Sequence, residues 1–118
     1  MPNYRHLELL SDGPVSRVRL LNHGRFCAEN VAELTDEWNS VADCADCRTL
    51  FVDCSNVDVL GSEMLSKLVL LQRRLKLKKG KLILGGIRHE LREVLNWTKL
   101  DRFFEIHEGT EREFVTLA

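Results

Sequence analysis

Two apolar runs bracket an amphipathic segment in the middle of the chain, and nothing else in it limits the fold as tightly. The runs are Leu50-Phe51-Val52 and Leu82-Ile83-Leu84. Neither alternates with polar residues, as expected of strands covered on both faces in a parallel sheet. Between them Met64, Leu68, Leu71 and Leu75, broadened by Leu65 and Val69, repeat at helical spacing from about Ser62 to Lys78. Strand Thr49–Cys54, helix and strand Lys81–Gly85 therefore make a βαβ unit, whose crossover should be right-handed.

The flanks extend this unit. Tyr4–Leu10 and Val15–Leu21 alternate loosely around Ser11-Asp12-Gly13-Pro14, a hairpin signal. In the second segment Ser16, Val18 and Leu20 share one face, with Arg17 and Arg19 on the other. Val31, Leu34, Trp38 and Val41 form the apolar stripe of a helix over Ala28–Ala42. A third helix is expected over Arg88–Trp97, a short strand over Phe103–His107, and a last helix over Thr110–Leu117 with the capping box Thr110-Glu111-Arg112-Glu113. The order ββαβαβαβα predicts one α/β domain over residues 1–118, with about five strands in a mixed, mainly parallel sheet and four helices.

Composition narrows the function classes. The formal charge is −1, but residues 1–59 carry −5 and residues 60–118 carry +4. Much of the basic excess is the run from Arg73 to Lys81. It reads as a solvated helix end rather than a nucleic-acid face, because one short cluster does not make a basic surface. No stretch resembles a signal peptide or a membrane span, so a cytoplasmic protein is expected. Cys44 and Cys47 have metal or redox spacing, but neither Cys27 nor Cys54 belongs to a second CxxC pair that would complete a zinc site. The pair also follows a helix and precedes a strand, the reverse of a thioredoxin-type arrangement. Bystander thiols are expected, with no metal and no cofactor; the rival is a thiol enzyme working through Cys54 or the Cys44–Cys47 pair.

Nucleotide-binding, metalloprotease and hydrolase signatures are missing, and the histidines His6, His23, His89 and His107 are scattered. What remains is Val52-Asp53-Cys54-Ser55-Asn56-Val57-Asp58-Val59-Leu60-Gly61-Ser62-Glu63-Met64-Leu65. It leads from the end of a parallel strand into a helix, where open α/β sheets place their sites. Ser62 fits the N-cap, accepting a hydrogen bond from the backbone of Met64 or Leu65, a contribution of about 1 kcal/mol.

The stretch from Asp53 to Val69 also resembles the signature of the STAS domain of anti-sigma factor antagonists, roughly D-L-S-x-V-x-F-I-D-S-S-G-L-G. Asp53, Ser55, Val57, Ser62 and Leu65 match directly, and Val59 and Leu60 match in character. Arg92–Ile106 is similar to the family's V-L-E-L-T-G-L-D-R-L-F-E-I segment, and Arg17–Leu34 to the strand–loop–helix that opens its core. The resemblance implies a binding module with no catalytic group of its own. Its partners would be a serine kinase that doubles as an anti-sigma factor and a serine phosphatase. It places the phosphoacceptor at Ser62, with Gly61, Glu63 and Met64 on the recognition surface and Asn56 and Asp58 on the adjoining loop. Gly61 stands where the family has Asp, Glu63 where it has a second serine, and Met64 and Lys99 where it has glycines. The backbone at Lys99 is expected at positive φ. The alternative is a STAS scaffold or small-ligand-binding domain that is never phosphorylated.

Overall fold

The βαβ unit forms as its apolar pattern requires. The structure is a computed structural model that describes residues 4–11, 13–21, 28–44, 46–57 and 62–107, with residues 28–30 and 62 given by their backbone alone. The strands are β1 (Leu7–Ser11), β2 (Val15–Leu20), β3 (Thr49–Asp53), β4 (Lys81–Gly85) and β5 (Glu105–His107). The helices are α1 (Ala28–Ala42), α2 (Ser62–Leu77) and α3 (His89–Trp97), with a 3-10 turn at Leu100–Arg102. The expected helix Thr110–Leu117 and its capping box lie outside the described residues, which contain three α-helices rather than four.

The sheet runs in sequence order, β1-β2-β3-β4-β5. β1 is antiparallel to β2 and every later pair is parallel, so the sheet is mixed and mainly parallel. Three successive crossovers step the same way across the sheet, and a common right-handed sense puts α1, α2 and α3 on one face. The core agrees. Ser16, Leu50 and Leu82 lie side by side across β2, β3 and β4, as do Val18, Val52 and Leu84. Against these rows pack Leu34 and Trp38 of α1, Leu68, Leu71 and Leu75 of α2, and Leu91 and Leu95 of α3. On the opposite face Phe51 and Ile83 are also buried, with the Phe51 ring edge-on to His107. That double burial is why these strands read as unbroken apolar runs.

Two strand starts lie two or more residues from the sequence expectation, each for a hydrogen-bonding reason. β1 starts at Leu7, not Tyr4, because the backbone N–H groups of Arg5 and His6 donate to the Glu37 carboxylate of α1, at 3.0 and 2.9 Å. β5 starts at Glu105, not Phe103, because the N–H groups of Phe103 and Phe104 both donate to the Leu100 carbonyl. At the end of α2, Lys79 rather than Gly80 takes the left-handed conformation, at φ 62°. The Lys79 and Gly80 N–H groups donate to the carbonyls of Lys76 and Leu75, the paired bonds of a Schellman cap. Gly80 is needed for a different reason, since a Cβ there would collide with the Arg48 carbonyl oxygen.

The basic run makes contacts both within the helical layer and between the last two strands. Arg74 reaches the Asp43 carboxylate at 3.1 Å, and Lys81 pairs with Glu105 at 3.5 Å. Lys78 Nζ donates to the carbonyls of Ala42 and Cys44, both at 2.7 Å, a cation on the carboxyl end of α1. No described helix is long and apolar enough to cross a membrane.

Candidate functional site

The carboxyl end of β3 is built around a buried carboxylate. Asp53 is fully buried, and a lone carboxylate there would be costly without partners. Its Oδ2 accepts from Arg19 Nε at 3.3 Å, while the same guanidinium reaches Glu8 at 3.4 Å. Its Oδ1 accepts from the Ser55 N–H at 2.9 Å, the local turn that short acidic side chains favour. Gly86 presses on that oxygen. Its φ is +64°, and a Cβ there would lie 2.5 Å from Asp53 Oδ1.

The loop that follows is pinned on three sides. The Cys54 N–H donates to the Gly85 carbonyl of β4 at 2.8 Å, and the Asn56 side-chain amide donates to the Leu20 carbonyl of β2 at 3.2 Å. Arg88, just before α3, donates through Nε to the Ser55 carbonyl at 3.0 Å. Val57 is fully buried, so residues 54–57 form a fixed base rather than a loose loop. From that base the chain leads to α2, whose first residue is Ser62.

The sequence-derived site residues separate into groups. Ser62 occupies the first helical position, one residue inside the expected N-cap, and its side chain lies outside the described atoms. Glu63 is exposed in the first turn of α2. Asn56 is half-buried and occupied in holding the loop to β2. Asp58 and Gly61 lie outside the described residues. Met64 requires a correction: it is only 2% exposed and packs in the core, so it does not line a surface beside Ser62. The helical period of its own stripe already pointed inward.

The thiol rival fares poorly at Cys54. Burial, and then the neighbouring Asp53 charge, push this thiol up from 9.0 to about 12, the opposite of an activated nucleophile. Cys47 is also buried, whereas Cys44 is exposed, and Cys27 lies outside the described residues. Among the described residues no cluster of three or more His, Cys, Asp or Glu side chains is placed to hold a metal ion.

A buried acid at the end of the central parallel strand, a pinned loop and a helix opening on serine make a distinctive order of parts. The sequence model of the STAS domain matches residues 18–112, most of the chain. The chain belongs to the STAS domain family. Solved STAS structures share the fold across nearly its whole length. An anti-sigma-factor antagonist (STAS) domain protein from Planctomyces limnophilus superposes with a TM-score of 0.81 at 19% identity, covering 94% of this chain and 96% of that one. The anti-sigma factor antagonist SpoIIAA in its unphosphorylated form gives 0.75 at 16% identity, with 92% and 90% coverage. The phosphorylated form of SpoIIAA, a Bacillus cell fate determinant, gives 0.69 at 16% identity, with 93% and 95% coverage. No curated protein sequence matches the chain.

Within this STAS domain the acid–arginine–glycine arrangement at the base of the loop was missed by sequence reasoning. Asp53 was noted only as a motif match. Arg19 is far from it in sequence, and Gly86 follows a separate strand. Their link is the parallel register that sets Arg19 opposite Asp53 and Asp53 opposite Gly85.

Proposed function

We propose that this STAS domain is an anti-sigma factor antagonist that binds a serine kinase doubling as an anti-sigma factor. Phosphorylation of Ser62 by that kinase releases the complex, and a serine phosphatase restores binding. The observation that carries this reading is the position of Ser62 as the first residue of α2, directly beyond the pinned end of β3.

The physics of that position suits a reversible charge switch. A phosphate adds about −1.5 to −2 charges and three strong acceptor oxygens. A helix N-terminus offers unsatisfied N–H groups and the positive end of the dipole, so the modified domain keeps its fold. That SpoIIAA shares this fold in both its phosphorylated and unphosphorylated forms agrees with such tolerance. A partner packed over the serine, in contrast, meets a charge it must desolvate, at a cost of several kcal/mol when unpaired. Binding is then lost without unfolding.

Ser62→Ala is expected to keep partner binding and to take no label from the kinase, and Ser62→Glu to weaken binding at least tenfold (about 1.4 kcal/mol). The assay is pull-down from native cytosol with mass spectrometry of Ser62, followed by titration of the captured partner. Equal binding by both variants at unchanged stability removes the switch.

A second reading is favoured by one observation. Glu63 is exposed and adjacent to Ser62, so its carboxylate would oppose a phosphate placed there. The domain then serves as an unphosphorylated STAS scaffold or a small-ligand-binding domain in a signalling assembly. Failure of co-expressed serine kinases to label it, with co-purification of a large complex, selects this reading.

A further inference from the structure

We propose that two copies of this chain associate by seating the exposed face of α3 of each copy in the groove between α1 and α2 of the other. The groove has a volume of about 360 Å³. Trp38, Leu70, Leu71 and Leu77 give it an apolar lining, and Lys67 and Arg73 stand among its cationic residues. Leu70 is 53% exposed and Leu77 is 89% exposed. They are two helical turns apart on α2, roughly 10.5 Å along the axis. An apolar seam of that length beside cations fits an acidic helix with a large apolar side chain.

The chain itself carries such a helix. On α3, Glu90, Glu93 and Trp97 fall at i, i+3 and i+7, on one face, and all three are exposed. Trp97 is 87% exposed, a large apolar group facing water at the end of a stripe in which exposed His89 reaches Glu93 at 3.0 Å and leaves Glu90 and the second Glu93 oxygen outward. The described side chains of α1 offer no equivalent, since exposed Asp36 is accompanied there by exposed Ala32 and Ser40.

The sequence spacing of the two surfaces lets them pair in register as well as in charge. With α3 parallel to α2 of the other copy, Trp97 beside Leu77 places Glu93 beside Arg73 and Glu90 beside Leu70, near Lys67. Both helices follow parallel strands and run in the same sense. A twofold axis along that sense repeats the contact and closes the pair instead of opening a filament. Tryptophan and arginine are also the side chains that contribute most at protein interfaces. None of this uses Ser62 or the loop before it.

Charge reversal tests the pairing on the purified full chain. Sedimentation over a concentration series is expected to show a monomer–dimer equilibrium that weakens as salt rises. Arg73→Glu and Glu93→Arg are each expected to raise the dimer dissociation constant at least about tenfold. Combining both changes in one chain, or mixing the two single variants, should restore association. Trp97→Ala should abolish it in every background. Unchanged thermal melts show that these surface substitutions leave the fold intact. A wild-type chain that stays monomeric across the series overturns the proposal, and that is the result expected if a different protein's helix fills the groove. Single variants that associate like wild type, or a double variant that is not rescued, overturn it equally.

Discussion

Replacing Gly86 by alanine tests whether the buried carboxylate sets the geometry of the loop before α2. Two costs add. The backbone there has φ +64°, where a residue with a Cβ loses roughly 1–2 kcal/mol. The new Cβ would also sit 2.5 Å from Asp53 Oδ1 and 3.1 Å from Ser55 N and Cβ. The carboxylate must retreat, and its 2.9 Å bond from the Ser55 N–H is the contact that gives way. An under-satisfied buried acceptor costs about 1–3 kcal/mol, so the total lies near 2–5 kcal/mol. Urea unfolding of the single variant reads this as a lower midpoint at unchanged slope. A double-mutant cycle then isolates the carboxylate. In an Asp53→Ala background the collision with the carboxylate is gone, and Gly86→Ala should cost the backbone share, about 1–2 kcal/mol, plus the adjustment that the 3.1 Å Ser55 contacts still require. Strict additivity in the cycle, or a single-variant cost below about 0.5 kcal/mol, would refute the reasoning.

Lys79 and Lys99 have left-handed backbones, at φ 62° and 61°, so Lys79→Gly and Lys99→Gly should each stabilise the chain by up to about 1 kcal/mol, read as a rise of a few degrees in Tm. The Cys54 thiol is held at about 12 against 9.0 for the ordinary group, so the unfolded chain releases this proton first as pH rises. The stability contribution is therefore complete below about pH 9 and is lost as pH climbs through about 12, a slope that Cys54→Ala should flatten in unfolding curves. In the native state, alkylation mapped by mass spectrometry should label exposed Cys44 and spare buried Cys47 and Cys54 until the chain unfolds; native labelling of Cys54 would contradict its burial.

How far the sequence could be read depended on whether a side chain answers to its neighbours in the chain or to distant ones. The runs at Leu50–Val52 and Leu82–Leu84 are local signals, and they placed the central strands within a residue. The helical stripes of α1 and α2 were equally local, and all their expected core positions are buried or packed against the core. The positive φ at Lys99 followed from the family resemblance, which has a glycine at that place just beyond a helix end. Nothing near Tyr4 announces that Glu37, on α1, will take the N–H groups of Arg5 and His6 and shorten β1. The site divides the same way. Ser62 at the opening of α2 could be seen from the change of period at that point. The Asp53 network could not, because its members come from β2, β3 and the residue after β4, and only the folded register assembles them. Met64 shows the hazard of reading position from a motif alone: the aligned family position suggested a surface, while the period of α2 turned it into the core.

The two surfaces proposed here share one helix, and its length decides whether they interfere. Ser62 is the first residue of α2, and Leu70 and Leu77 follow it eight and fifteen residues later. At 1.5 Å per residue they lie roughly 12 and 22 Å away along the axis. Exposed charges farther apart than about 8 Å are largely screened at physiological salt, so a phosphate at Ser62 acts weakly on the surface around Leu70 and more weakly still around Leu77. Partner binding at the amino end of α2 and self-association along its carboxyl half should therefore vary independently. Ser62→Glu should weaken the first and spare the second, and Arg73→Glu should do the reverse. If either substitution removes both activities while the fold survives, α2 couples the two surfaces, and the domain is a single switch rather than two separate contacts.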